Sequence, residues 1–348
     1  MSDAPIRINL ALQGGGAHGA FTWGVLDRLL DEDDVEIAGI SGTSAGALNG
    51  AALKAGMLSG GREGARERLD ALWARMGALP DDAVAEWFAG ILPDAGQVAR
   101  WLEVSPGYQA LDAVARGTSP YGWGALYRNP LADVVAGFEM DKVQAAEGCR
   151  FFVSATNVRT GKIRVFEREW ITTEAILASA CLPTLFQAVE CWDPETRTRE
   201  AYWDGGYAGN PALFPLFYDP DLPADVVIVN INPLYRGEVP KSAPAILNRI
   251  NEISFNQSLL SELRAIAFAS RLVHDGKVGA GDLKDMLVHM IADDTLMTRL
   301  SEATKIVPVP SVMAELKAAG RRAAANFLTE HKASLGQRAT VHLPTLVG

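Results

Sequence analysis

Apolar positions along this chain alternate between short continuous runs and stretches spaced three or four residues apart. Ile6 to Leu12 reads as a buried strand, a cluster of glycines interrupts it, and from Gly19 to Leu30 the apolar residues Phe21, Val25, Leu26 and Leu29 recur at helical spacing. Val35 to Ile40 is a second strand-like run. It is followed by the small-residue stretch SGTSAGALNGAALKAGM, which predicts a tight turn and a helix ending near Gly56. Repeated strand, turn and helix predicts a mainly parallel sheet covered by helices on both faces, a three-layer α/β/α sandwich.

Residues 61 to about 148 read as mainly helical and carry a dense set of aromatics, Trp73, Trp87, Trp101, Tyr108, Tyr121, Trp123 and Tyr127. Strand patterns resume with RFFVSATNV from Arg150 and a hairpin arm, KIRVFER, followed by a helix over TTEAILASA that Pro183 stops. Asp225 to Asn232, DVVIVNIN, is a further buried strand. From Ala243 onward the pattern is helical, with Ile246, Ile250, Ile253, Leu259, Leu260 and Leu263 on a long amphipathic helix. The expected organisation is an α/β domain over residues 1–240, with a helical insert at about 61–148, and a helical extension over 241–348 packed on the same domain.

Charge narrows the partners. The 348 residues hold 32 Lys and Arg against 42 Asp and Glu, a net charge of −10, which opposes binding to nucleic acid and to anionic lipid surfaces by simple attraction. Contact with lipid therefore calls for apolar or amphipathic surface, or for one locally basic patch. Cys149, Cys181 and Cys191 form no C-x-x-C pair, which suits reduced thiols in a cytoplasmic setting. The first ten residues lack a basic segment followed by an apolar run, so no secretory signal is expected. The uncharged stretch Ile8 to Leu26 contains Asn9, Gln13, His18 and five glycines, which does not suit a bilayer span.

The glycines pose the chemical question. Gly14, Gly16 and Gly19 satisfy G-x-G-x-x-G, a spacing that seats a dinucleotide pyrophosphate, yet amides at such a turn serve equally for the oxyanion of an ester under attack. Gly42, Ser44 and Gly46 then form G-x-S-x-G between a strand and a small-residue helix, the setting of a nucleophile elbow. The second strand ends at Ile40–Ser41 without the carboxylate that a dinucleotide fold uses on the ribose. The Gly14–Gly16 loop is therefore assigned as an oxyanion hole for Ser44. None of His18, His274, His289, His331 and His342 has a hydrolase context or metal-ligand spacing. Asp204, in YWDGGYAGNP, is the better base; Asp-Gly is a common turn dipeptide, and it is the combination with the elbow and the loop that gives it weight.

Together these residues resemble the patatin-like phospholipase family, whose marks are a glycine-rich oxyanion loop, G-x-S-x-G and an Asp-Gly completing a Ser-Asp dyad. Here they match QGGGAHGAF, GTSAG and DGG, and residues 176 to 190, ILASACLPTLFQAVE, are similar to the family's Ser-x-x-x-Pro-x-x-Phe segment. The likeness runs from residue 6 to about 232. It implies Ser44 as nucleophile, Asp204 as base, Gly14, Gly15 and Gly16 as the oxyanion hole, and Gly42, Gly46 and Gly205 as shapers of the turns. It also implies a lipid acyl ester as substrate, of the phospholipase A or lysophospholipase type, with peripheral contact to a membrane. Cleavage would pass through an acyl-enzyme resolved by water, with neither metal nor organic cofactor.

A free Asp, with pKa ~3.9, is a poor acceptor at neutral pH; burial near Tyr202 and Trp203 would raise it and hydrogen bonds from the Asp-Gly-Gly turn would lower it, and the sequence leaves that balance open. The aromatic insert over 81–127 suits a lipid-facing cap in which Trp87 and Trp101 contribute apolar surface, or a helical subdomain packing its own core. Three other readings stand open: an acyltransferase, although malonyl-transacylase-like enzymes carry His where this chain has Thr43, a regulatory module without turnover, and a nicotinamide-binding oxidoreductase.

Overall fold

The computed structural model describes residues 4–77, 94–278 and 283–347. Among them an eight-stranded sheet runs β5-β6-β3-β2-β1-β7-β8, with β4 also paired to β3. The strands are β1 (Ile6–Leu12), β2 (Val35–Gly42), β3 (Arg150–Asn157), β4 (Ile163–Glu167), β5 (Val189–Asp193), β6 (Thr198–Asp204), β7 (Asp225–Asn230) and β8 (Leu287–Ala292). β1 is buried from Ile8 to Leu12 and β7 throughout, which explains the apolar runs Leu10–Leu12 and Val226–Val229. The pairs β1–β2, β1–β7, β2–β3 and β7–β8 are parallel, whereas β4, β5 and β6 pair antiparallel.

The register at β3 brings the far hairpin towards the elbow. Phe152 and Val153 pair with β2 on one side and β4 on the other, while Ala155 and Thr156 pair with β4 and β6. β6 therefore enters the lane that β2 leaves at Gly42, and Asp204, opposite Ala155, stands just beyond the end of β2.

Helix α1 (Ala20–Leu29) follows the glycine loop, and α2 (Ala45–Arg75) follows Ser44. α2 does not stop at Gly56. It continues to Arg75, bending at Gly60 and Gly61, where Gly61 has φ +64°. The insert contributes α3 (Ala95–Val104) and α4 (Pro106–Gly117), capped by Asp94 and Ser105. Trp101 on α3 is 62% exposed, and Trp87 lies outside the described residues. The Tyr127 and Tyr121 hydroxyls accept the amides of Gln187 and Ala188, tying the insert to the loop after α5 (Thr173–Ser179).

The C-terminal region departs from an all-helical reading. α6 (Ala243–His274) and α7 (Pro310–His331) are helical, but Leu287–Ala292 forms β8 and extends the sheet beside β7. A six-residue apolar run such as LVHMIA carries no periodicity that separates a buried strand from a buried helix turn. α7 packs closely on α1: a Cβ at Gly24 would lie 1.9 Å from the Lys317 carbonyl oxygen, and one at Gly320 would lie 2.0 Å from that of Phe21. Gly24→Ala or Gly320→Ala is accordingly expected to cost about 1–3 kcal/mol by overpacking, read as a lowered Tm. No helix among the described residues is long and apolar enough to cross a membrane.

Candidate active site

The ends of β1, β2, β6 and β7 converge at one edge of the sheet, where α/β folds place their ligands. After β2 the chain turns sharply into α2, and Ser44 sits on that turn with φ 55° and ψ −121°, a conformation that side chains rarely adopt. The flanking glycines permit it: a Cβ at Gly46 would lie 2.1 Å from the Leu12 carbonyl oxygen, and one at Gly42 would lie 2.6 Å from that of Gly46. Ser44 is 8% exposed, and its amide donates to Ser179 Oγ at 2.9 Å.

The Ser44 hydroxyl lies beside the Asp204 carboxylate, close enough to favour its ionised form. Asp204 is buried, and its Oδ1 accepts the Gly206 amide at 2.8 Å while its own amide donates to the Cys181 carbonyl at 2.8 Å. Burial pushes the Asp204 carboxyl up to about 7, with the Gly206 amide and the Ser44 hydroxyl pulling the other way. Gly205 lies against the Ser154 carbonyl and the Thr43 methyl, so the Asp-Gly-Gly turn packs directly on the elbow.

The glycine loop passes Ser44 at contact distance, since a Cβ at Gly14 would lie 2.7 Å from Ser44 Cβ. The Gly14 amide differs from the expected oxyanion donor: it is already directed to Asn210 Oδ1 at 2.7 Å. The amides of Gly15 and Gly16 have no protein acceptor among the described residues. Gly16 holds φ +57° with Lys305 stacked against it, a position closed to a side chain.

None of the histidines hydrogen-bonds Ser44 or Asp204 in the described structure. His18 is buried with Nε2 2.9 Å from Thr304 Oγ1, and burial, then Lys305 and Arg236, hold its pKa well below the usual value. Thr304 Oγ1 donates to the Ser301 carbonyl, so His18 is the donor to Thr304 and is neutral. His289 lies far from this edge in sequence and binds Asp225 and Thr340.

A narrow pocket of ≈ 90 Å³ opens at Ser44, with Leu48, Leu72, Trp73, Met76, Leu182 and Phe186 in its wall and Lys305 at its side. A larger groove of ≈ 950 Å³ runs between α6 and the segment after Asp204, and includes Tyr207 but not Ser44. Ser179 is the serine of the Ser-x-x-x-Pro-x-x-Phe segment, and the residues that sequence patterns left unmarked are Asn210, Asn232 and Lys305.

A family model described as Patatin-like phospholipase matches residues 10–217, more than half of the chain. Comparison with curated proteins gave no match. Among solved structures the chain is similar to VipD from Legionella pneumophila, at 15% identity and TM-score 0.42, over 94% of this chain and 68% of that one. It is also similar to the type III effector protein ExoU, at 16% identity and TM-score 0.36, over 94% of this chain and 54% of that one. Full-length ExoU from Pseudomonas aeruginosa in complex with SpcU matches at 15% identity and TM-score 0.27, over 99% of this chain and 76% of that one.

Proposed function

The chain belongs to the patatin-like phospholipase family, and we propose that it cleaves lipid acyl esters by a Ser44–Asp204 dyad. The observation that carries this reading is the elbow serine, Ser44, set beside a buried carboxylate whose pKa has been pushed to about 7. At that pKa the ionised form is abundant at neutral pH and basic enough to take a serine proton in the transition state.

In the proposed sequence Ser44 Oγ attacks the ester carbonyl as its proton moves to Asp204. The oxygen that becomes negative is met by the Gly15 and Gly16 amides, with the N-terminus of α2 adding its partial positive charge. Gly14 has the separate task of contact with Ser44 and attachment to Asn210. Collapse of the tetrahedral intermediate breaks the bond to the leaving alkoxide, which collects the proton from Asp204. Asp204 then deprotonates water, water attacks the acyl-enzyme, and the fatty acid leaves as Ser44 recovers its proton.

The apolar pocket supports an acyl chain as the group beside Ser44. Its volume falls below the roughly 300–1,000 Å³ of ordinary ligand sites, so a long chain enters only when the wall opens. The loop carrying Leu182 and Phe186 is tethered by the Tyr121 and Tyr127 hydroxyls, which supports the insert as a cap. Tyr121→Phe combined with Tyr127→Phe is expected to raise kcat/KM for p-nitrophenyl dodecanoate relative to the butyrate several-fold.

The acyl acceptor is proposed to be water. Incubation of a phosphatidylcholine with a labelled acyl chain, with and without added glycerol and lysolipid, separates the two reactions. Labelled fatty acid supports hydrolysis, labelled acceptor supports transfer, and an intact lipid together with intact p-nitrophenyl esters contradicts both.

A further inference from the structure

The loop that would receive the oxyanion is held by a side chain outside the glycine loop, the elbow and the Asp-Gly turn. Gly14, Ser44 and Asn232 stand two residues beyond the ends of β1, β2 and β7 respectively, and β1 lies between the other two in the sheet. Asn232 Nδ2 donates to the Gly14 carbonyl at 2.7 Å. In a trans peptide the carbonyl of one residue and the amide of the next point in opposite directions. With the Gly14 carbonyl drawn to the β7 side, the Gly15 N–H is turned to the β2 side, where Ser44 stands.

We infer that Asn232 is a positioning residue for the reaction, setting the plane of the Gly14–Gly15 peptide so that the Gly15 amide faces the oxyanion. The inference rests on the proposed role of Ser44. Asn232 is itself held without rotational freedom. It is fully buried, its second Nδ2 hydrogen reaches Gln13 Oε1 at 3.3 Å, its Oδ1 accepts from Lys305 Nζ at 3.4 Å, and its amide donates to Gln13 Oε1 at 3.1 Å. The other side of Gly14 is fixed as well, by Asn210. A preset donor needs no reorganisation when charge develops, and a donor turned away from the oxyanion is as good as absent.

Asn232→Asp keeps the size of the side chain and replaces the donor to Gly14 by an oxygen. It is expected to lower kcat for p-nitrophenyl butyrate on the order of 10²-fold while KM stays within about twofold, since the lost interaction belongs to the transition state. A trifluoromethyl ketone, whose adduct with the serine carries an oxyanion, is expected to lose affinity in parallel with kcat, whereas the matching methyl ketone is not. Asn232→Ser is read in the same way in case the aspartate variant does not fold. Asn256→Leu serves as the control, because Asn256 donates only to the Asn232 and Pro233 carbonyls and has no contact with Gly14. It is expected to lower Tm without the selective loss of the trifluoromethyl ketone. The inference is overturned if a folded Asn232 variant keeps kcat within about threefold of wild type, or if both ketones weaken equally in it and in Asn256→Leu. Wild-type protein without turnover or ketone adduct would instead overturn the reading of Ser44, and the inference with it.

Discussion

Ser44→Ala is expected to lower kcat/KM for acyl esters by on the order of 10⁴-fold or more, leaving only the background that binding and oxyanion donors supply without a nucleophile. The size follows from the absence of a substitute: Thr43, the neighbouring hydroxyl, is engaged with Ser154 Oγ at 2.7 Å and the Gly209 carbonyl at 2.8 Å. The fold is expected to survive, because Ser44 contributes no packing that alanine lacks and its strained φ of 55° is a cost of the elbow. Ser44→Gly, equally inactive, is expected to melt no lower than wild type, since glycine adopts that conformation without a Cβ penalty. Initial rates and melting curves on the two variants check both statements.

Asp204→Asn is expected to lower kcat/KM by about 10²–10⁴-fold, the usual contribution of a positioned base. Its pH signature separates it from a structural defect. Wild-type kcat/KM is expected to rise with pH through about 7 and then level, as the Asp204 carboxyl ionises, whereas the residual activity of the variant loses that limb. Stability moves the opposite way. The folded state holds the Asp204 proton up to about 7 and the unfolded chain only to the ordinary carboxylate range, so between those limits the folded protein binds more protons and loses stability as pH rises. An upward shift from 3.8 to about 7 corresponds to about 4 kcal/mol at pH 8. Asp204→Asn removes that cost. Its Tm is expected to exceed that of wild type at pH 8, with the gap closing as pH falls towards 4.

Much of the architecture was legible because it is repetitive. The apolar runs Leu10–Leu12 and Val226–Val229 lie in strands buried on both faces, and the glycine spacing and G-x-S-x-G fall at strand ends, where the fold keeps them. What escaped has physical causes. β8 carries no period that marks it as a strand, and α2 runs on past Gly56 because its break is made by dihedral angles at Gly60 and Gly61 that composition does not reveal. The amide of Gly14 looked free in a run of glycines, but its acceptor, Asn210, lies 196 positions away. Asn232 is likewise one polar residue after an apolar strand, and only the order of β2, β1 and β7 gives its contact with Gly14 a direction.

The same contrast applies to the base. A turn dipeptide such as Asp204–Gly205 is commonplace, and its aromatic neighbours Tyr202 and Trp203 suit burial without placing the carboxylate at Ser44. The register of β3 does: by letting β6 follow β2 in one lane, it brings the carboxylate to the serine hydroxyl and out of water.

The central claim is an activated Ser44 with Asp204 as its partner, and intact mass after treatment with a fluorophosphonate tests it most directly. The account predicts a single adduct on wild type, none on folded Ser44→Ala, and slow labelling of Asp204→Asn at pH 8. Wild type that stays unlabelled with and without lipid vesicles, or Ser44→Ala that labels as fast as wild type, would contradict it.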